Sequence, residues 1–81
     1  MASVVFASDM RQHTGGCGQT RVNATGYRAA LRELSEAFPQ LSDAVFEKYS
    51  IAIDGVIILS PLLETFEPDS ELVFIPRIAG G

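Results

Sequence analysis

Residues 71–81 read E-L-V-F-I-P-R-I-A-G-G, and the fold expected for the whole chain follows from this stretch. Residues 72–75 are an uninterrupted run of aliphatic and aromatic side chains, which is typical of a β-strand with two apolar faces. Pro76 has no amide hydrogen to donate to a neighbouring strand, so pairing is predicted to end near it. The stretch predicts a strand from 71 to 75 and a segment that leaves the sheet.

After the proline the side chains become smaller along the chain, through Arg77, Ile78 and Ala79 to Gly80 and Gly81. A residue without a Cβ passes through a narrow channel and leaves its carbonyl open to attack from either side. We therefore expect a flexible diglycine tail, 77–81, on a domain that spans 1–76, with the carboxylate of Gly81 as the reactive group. The alternative is a chain end without function, because frayed ends are commonly rich in small residues.

Composition indicates one small globular domain. The chain has 81 residues, of which 47% are apolar and 20% charged. This is enough for a single modest core and too little for a deep enzyme cleft, so we expect no catalysis by the chain itself and no bound cofactor or metal. The formal net charge of −4 argues against a nucleic-acid partner.

No segment is predicted to enter a membrane. The longest aliphatic run, residues 56–59, is far shorter than the roughly 20 residues needed to span a bilayer. The first residues also lack the basic segment and apolar core of a secretory signal. The single cysteine, Cys17, cannot form an internal disulfide, which agrees with a reducing compartment. We expect a cytoplasmic protein.

The first part of the chain predicts a β-hairpin. Residues 3–8 alternate as a strand does, with Val4 and Phe6 on one face and Val5 and Ala7 on the other. Residues 9–18 contain three glycines and little apolar content, so they are predicted to form a loop. Residues 19–24 are the predicted return strand.

A helix is predicted to follow, with Thr25 as its N-cap and its end near Ala37, because Pro39 disfavours helical dihedrals at Phe38. Residues 41–48 are predicted to form only a short helical turn. Apolar residues recur at three- and four-residue steps and predict one buried stripe. These residues are Tyr27, Ala30, Leu31, Leu34, Phe38 and Leu41.

Two more strands, 49–54 and 56–59, are predicted on either side of Asp54 and Gly55, a dipeptide typical of two-residue hairpin turns. A turn at 68–70 leads to the last strand. The order is strand, strand, helix, strand, strand, strand, which predicts an α+β fold with a mixed sheet on one main helix. The first and last strands are expected to lie side by side and parallel.

One helix covers only one face of such a sheet, so the other face is expected to meet solvent or a partner. Val73 and Ile75 of the last strand, with Val5 or Ala7 of the first, are the candidates for an outer apolar patch. The alternative is that a loop covers them.

At this point the chain resembles the ubiquitin-like β-grasp sulfur carriers of the MoaD and ThiS type. The resemblance rests on D-G at Asp54 and Gly55, on E-P-D-S-E at 67–71, and above all on V-F-I-P-R-I-A-G-G at 73–81. The stretch R-Q-H-T-G-G at 11–16 is more similar to the CysO branch, which serves cysteine synthesis. The element order matches over nearly the whole chain.

The resemblance implies that a ubiquitin-activating-type enzyme adenylates Gly81 with ATP, and that the product becomes a thiocarboxylate. A sulfur-accepting synthase, most readily one of molybdopterin type, would then take the sulfur. Gly80 would be the slender neighbour of the reacting residue. The outer apolar residues and the segment Pro76, Arg77, Ile78, Ala79 would bind the partners. Arg77 stands where many such carriers have a second proline, which is expected to leave the tail more flexible.

Other residues with chemical potential are weaker candidates. His13 and Cys17 are two ligands at most, too few for zinc, and the glycines at 15–18 lack the lysine and helix of a phosphate loop. The acidic residues Asp9, Glu64, Glu67, Asp69 and Glu71 have no partner base and are expected to be solvated.

Three functions remain open on the sequence. The first is a sulfur carrier that is a cosubstrate without catalytic activity. The second is a protein modifier, in which the activated Gly81 forms an isopeptide bond with a lysine. The third is a small interaction domain with an inert tail, for which removal of Gly80 and Gly81 would change nothing.

Overall fold

The computed structural model describes residues 1–77. They form five strands, two α-helices and two short 3-10 helices. In chain order these are β1 (Ala2–Val5), a 3-10 helix (Ser8–His13), β2 (Gln19–Val22), α1 (Tyr27–Ala37), α2 (Asp43–Phe46), β3 (Tyr49–Ile53), β4 (Val56–Ile58), a second 3-10 helix (Pro61–Leu63) and β5 (Glu71–Pro76).

The strands form one mixed sheet in the order β2-β1-β5-β3-β4. The central pair β1 and β5 is parallel, with Val4 opposite Leu72, whereas the other three pairs are antiparallel. The chain between β1 and β5 contains α1, which provides the crossover that a parallel pair requires. The predicted α+β class and the parallel central pair are both confirmed.

The core lies between the sheet and α1. Tyr27, Ala30 and Leu34 of α1 are buried, as the apolar stripe predicts. On β5 the alternate residues Leu72 and Phe74 are buried. Three further aromatic rings surround that of Phe74, with centroids 5.7 to 6.4 Å from it; they belong to Phe6, Phe46 and Tyr49. The central strand β5, the neighbouring strand β3 and the helix α2 therefore share one aromatic cluster.

The hairpin predicted at Asp54 and Gly55 is confirmed. Both residues have positive φ, 50° and 85°, as the two-residue turn that matches strand twist requires. The turn pairs Ile53 with Val56. The register of β4 is therefore set by this dipeptide.

The predicted loop at 9–18 is partly wrong, because Ser8–His13 forms a 3-10 helix. Met10 is completely buried, and its amide donates to the carbonyl of Ala7 over 3.0 Å. A single apolar residue in a short helix produces no periodicity in the sequence, so composition alone indicated a loop.

The predicted N-cap Thr25 is also wrong. The N-cap is Gly26, whose carbonyl accepts the first helical hydrogen bond from Ala30 over 2.9 Å. Gly26 also forms an isolated bridge with Thr65, and the carbonyl of Thr25 accepts a hydrogen bond from the amide of Phe66 over 2.8 Å. Pairing with this distant segment holds Thr25 outside the helix. The strands β1, β2, β3 and β4 are each shorter than predicted, whereas β5 extends one residue further, to Pro76.

Among residues 1–77, no helix combines the length and the hydropathy that crossing a membrane would need.

Candidate functional site: the end of β5 and the outer sheet face

The end of β5 fixes the point from which residues 78–81 continue. Pro76 lies opposite Tyr49 of β3. Pairing does not stop there, because the amide of Arg77 donates to the carbonyl of Lys48 over 3.1 Å. That bond makes the position of Pro76 a non-hydrogen-bonded one, where an amide would point away from β3. The proline therefore breaks no bond to β3, and pairing extends one residue beyond the predicted limit.

The side chain of Arg77 adds a second attachment. Its Nε donates to the carbonyl of Tyr49 over 3.3 Å. Two hydrogen bonds thus hold Arg77 against the start of β3. The flexibility expected of the tail 77–81 stays a prediction, because residues 78–81 lie outside the described residues.

Two tyrosines lie close to this end of the sheet, and both keep their protons at neutral pH. Burial, together with a hydrogen bond and charge repulsion from Asp9, raises the pKa of Tyr49 to about 12. Burial also raises the pKa of Tyr27, while the positive charge of Arg77 acts in the opposite direction. Neither phenol can serve as a base here at neutral pH.

The face of the sheet away from α1 carries an outer patch, which we define as Val5, Val73, Ile75, Ala52 and Ile57. The strand register aligns Val5, Val73, Ala52 and Ile57 in one row across β1, β5, β3 and β4. Val5, Val73 and Ile75 are half-buried, and they are absent from the group of residues that packs into the core. Three of the four predicted residues thus share this face.

Ala7 does not belong to the outer patch, because it follows the end of β1 and packs against the core. The prediction assumed that side chains alternate between the two faces up to Ser8, but β1 ends at Val5, so Ala7 was assigned to the wrong face. Ile57, which is 58% exposed, was not predicted. The sequence did contain a signal for it, since a two-residue turn at 54–55 necessarily pairs Ala52 with Ile57.

The remaining predicted site residues, Ile78, Ala79, Gly80 and Gly81, lie outside the described residues. The binding roles assigned to the outer patch, Pro76 and Arg77 stay predictions.

His13 and Cys17 do not form a site together with other ligands. His13 ends the first 3-10 helix, and the thiol of Cys17 donates to the carbonyl of Gln19 over 3.0 Å. Within residues 1–77 there is no group of three His, Cys, Asp or Glu side chains that could hold a metal ion.

A five-stranded mixed sheet with a parallel central pair, packed on one main helix, defines the ubiquitin-like β-grasp fold. Two solved structures that cover 99% of this chain are SAMP1 from Haloferax volcanii and the small archaeal modifier protein 1 (SAMP1) from Methanosarcina acetivorans. Their TM-scores are 0.72 and 0.79, each at 21% identity and over 98% and 95% of their own chains.

A third similar structure is the HVO 2177 protein of Haloferax volcanii, with a TM-score of 0.70 and 15% identity over 99% of this chain and 85% of that one. Neither a protein-family model nor a curated protein sequence matches the chain. Identities this low establish the fold alone.

Proposed function

We propose that the protein is a sulfur carrier whose Gly81 carboxylate is activated by a partner enzyme and converted to a thiocarboxylate. The observation that carries the proposal is the continuity of β5 with R-I-A-G-G in a β-grasp domain. The central strand ends at the surface, Arg77 is held there by two hydrogen bonds, and the sequence continues directly into the diglycine.

The Gly81 carboxylate must be activated before it can react with sulfur, because a carboxylate is a poor acyl donor. The Gly81 carboxylate attacks the α-phosphorus of ATP in the partner's active site and releases pyrophosphate. Hydrosulfide then attacks the acyl carbon of the adenylate and forms a C–S bond, the C–O bond to AMP breaks with its electrons on AMP, and loss of the proton leaves the thiocarboxylate. A glycine at the reacting position leaves the acyl carbon unhindered on both sides.

Chain length fits this arrangement. The four residues that follow the anchored Arg77, 78–81, can span at most roughly 14 Å when extended. This length brings the reacting carbon into a partner's enclosed site while the folded domain remains outside. No side chain of the domain then takes part in the chemistry, in keeping with a cosubstrate.

The outer patch supplies the docking surface for the adenylating enzyme. Ile57 is 58% exposed, and the row of Val5, Val73 and Ala52 joins it to β5, from which the reactive segment continues. Because β5 carries part of the outer patch and also leads to the tail, a partner that binds the outer patch has the tail beside its own surface. The sulfur acceptor of first choice is a molybdopterin-type synthase.

A second candidate is a protein modifier, which the SAMP1 neighbours favour because they are named as small archaeal modifier proteins. Both functions share the chemistry up to the adenylate. In a modifier, a lysine amine of the target ultimately takes the Gly81 acyl group and forms an isopeptide bond. Denaturing gels of extract from cells that produce a tagged copy of the protein separate the carrier from the modifier. Only conjugation gives tagged species of higher mass that persist after reduction.

The test of activation is intact-protein mass spectrometry after incubation with ATP, a sulfur source and the cognate adenylating enzyme. Mass measurement before incubation first establishes that Gly81 carries a free carboxylate. Afterwards the wild type should show sulfur in place of one oxygen, whereas Gly81→Ala and deletion of Gly81 should show no change.

Cys17→Ser is the matched control, because it removes the one thiol and should still accept sulfur at Gly81. A full mass shift in the deletion variant, or a wild-type shift that maps to Cys17, would overturn the proposal. An unchanged cellular function after removal of Gly80 and Gly81 would instead support an inert tail on a small interaction domain.

A further inference from the structure

A groove lies on the helix side of the molecule, away from the outer patch. It has a volume of about 780 Å³ and runs beside α1 and α2 to the segment that follows β4. Tyr27, Leu31 and Ser35 line it at four-residue steps, so it follows the axis of α1. The rise from Tyr27 to Ser35 is about 12 Å, the length of some eight helical residues or four extended ones.

The apolar side chains that line the groove are of two kinds, buried rings at its base and exposed leucines at one edge. Phe46 and Tyr49 contribute their buried rings to the lining. Leu59 and Leu62, at the edge formed by the segment after β4, are 79% and 60% exposed. Two such leucines beside an apolar concavity are typical of a surface that another molecule covers.

The charges of the groove differ from those of the rest of the chain. Three of the six basic residues, Arg28, Arg32 and Arg77, line it, although the chain carries a net charge of −4. Two carboxylates, Asp43 and Glu47, lie on the α2 side. The lining is therefore net positive, and its positive charge is concentrated along α1 and at the end of β5.

We infer that this groove binds a segment of a partner protein that carries carboxylates on one side and leucine, isoleucine or phenylalanine on the other. Guanidinium groups bind carboxylates through paired hydrogen bonds, so Arg28 and Arg32 orient the acidic side toward α1. The apolar side chains of the segment cover Leu59 and Leu62. The groove accepts such a segment as an amphipathic helix of about two turns.

This docking site goes beyond the proposed function, because it requires no chemistry at Gly81 and does not use the outer patch. An anionic membrane is the other surface that arginines and exposed leucines could meet. A concave site on a protein of net charge −4 favours a protruding peptide over a flat, negatively charged bilayer.

The test is selection from a random dodecapeptide display library against the folded wild-type protein, with counter-selection on Arg28→Glu/Arg32→Glu. All four charged residues altered in the test and its control are exposed, so the fold should persist, and circular dichroism checks this. Selected peptides should be net acidic and contain at least two large apolar residues. Charge reversal at Arg28 and Arg32 should weaken their binding at least tenfold in fluorescence anisotropy.

Asp43→Lys/Glu47→Lys is the matched control, since it reverses the same number of charges on the opposite side and should retain or strengthen binding. Deletion of Gly81 should leave binding unchanged, so that failure of the activation chemistry is not confused with failure of the groove. Amide shifts in an NMR titration with a selected peptide should map to α1 and to residues 59–62.

Three results would overturn the inference. The library could enrich no acidic sequence, or the amide shifts could map to the outer patch. Alternatively, the wild type could bind vesicles of phosphatidylserine and phosphatidylcholine through Arg28 and Arg32 while enriching no peptide, which would assign the groove to a membrane surface.

Discussion

Asp54 shows how a single carboxylate joins two turns that are distant in sequence. Its Oδ2 accepts a hydrogen bond from the hydroxyl of Ser70 over 2.7 Å, and its Oδ1 accepts one from the amide of Glu71 over 2.9 Å. The hydroxyl of Ser70 in turn accepts from the amide of Glu67 over 2.9 Å. The β3–β4 hairpin is thereby tied to the turn that starts β5.

These bonds make part of the stability depend on pH. The bonds from Ser70 and Glu71 lower the pKa of Asp54 below its ordinary value of 3.8. The charged form therefore stabilises the folded state above pH 3.8, and this contribution disappears as the pH falls through the folded-state pKa. Urea midpoints of the wild type and Asp54→Asn should differ at pH 6 and converge toward pH 3.

Asp69→Asn is the control, because it removes the same charge from the neighbouring turn. The difference in urea midpoint between Asp69→Asn and the wild type should stay the same between pH 6 and pH 3. If the difference between wild type and Asp54→Asn stays constant down to pH 3, then the Asp54 charge does not hold the two turns together.

Glu33 is a second residue that acts over a distance. Its two carboxylate oxygens accept the amides of Asn23 and Ala24 over 2.9 and 2.6 Å, which fastens α1 to the end of β2. Glu33→Ala leaves two backbone donors without their partner and should lower the unfolding free energy by roughly 1 to 3 kcal/mol. Glu36→Ala, at an exposed position of the same helix, should change the urea midpoint little.

For single residues, the sequence predicted the hairpin turn at Asp54-Gly55. It predicted neither the hydrogen bonds of Asp54 to Ser70 and Glu71 nor those of Glu33 to Asn23 and Ala24. The turn is encoded locally, since φ must be positive at both residues. The partners of Asp54 and Glu33 lie 9 to 17 residues away, so they become visible only after the fold is known. Local sequence therefore indicates the turn at Asp54 but not the anchoring role of Asp54 or of Glu33.

The helix α1 is the element that the sequence described best. Its apolar stripe predicts which face is buried, and Leu34 is 1% exposed. Leu34→Ala should therefore lower the unfolding free energy by roughly 2 to 5 kcal/mol, because the cavity left behind cannot close completely.

Arg32→Ala is the control on the exposed face and should cost less than about 0.5 kcal/mol. Urea titration measures both. Equal losses in the two variants would mean that the packing of α1 differs from that described.

The elements that the sequence missed share one physical cause. The two 3-10 helices are three to six residues long, and of the two only the first buries an apolar side chain, Met10. Such short pieces are stabilised by tertiary contacts and not by their own periodicity. Gly26 likewise caps α1 because a distant segment pairs with it, which local cap preference does not reveal.

For the molecule as a whole, the outer patch predicts an effect on binding that is separate from folding. Ile57 is largely exposed, so Ile57→Asp should leave the circular dichroism spectrum unchanged. Ile75→Asp, at a half-buried position of the same face, should also fold. Each should weaken binding of the adenylating enzyme in calorimetry, and Ile75→Asp should cost about 2 to 4 kcal/mol if it anchors the centre.

A substitution on the helix side, Glu36→Lys, serves as the control and should bind as the wild type does. Unfolding of Ile75→Asp would show that this residue is needed by the core. Undiminished binding by both aspartate variants would remove the outer patch from the proposed function.

The overall architecture was predictable because it follows from few rules: alternation within strands, one helix stripe and a crossover between parallel strands. The groove on the helix side was not predictable in the same way. It combines α1, α2, the segment after β4 and Arg77, and no local pattern indicates that these meet. Surfaces built from several elements depend on the packing of the finished fold.

The central position of β5 also determines when the protein can fold during synthesis. β5 lies between β1 and β3, yet it is the last of the five strands to leave the ribosome. Without residues 71–76 the sheet divides into two separate hairpins, β1–β2 and β3–β4, each with an unpaired inner edge that carries apolar residues such as Val4 and Ile51. Such edges invite pairing with other chains. A released chain that lacks residues 71–76 should therefore be retained by chaperones in a pull-down, whereas the chain that contains β5 should not.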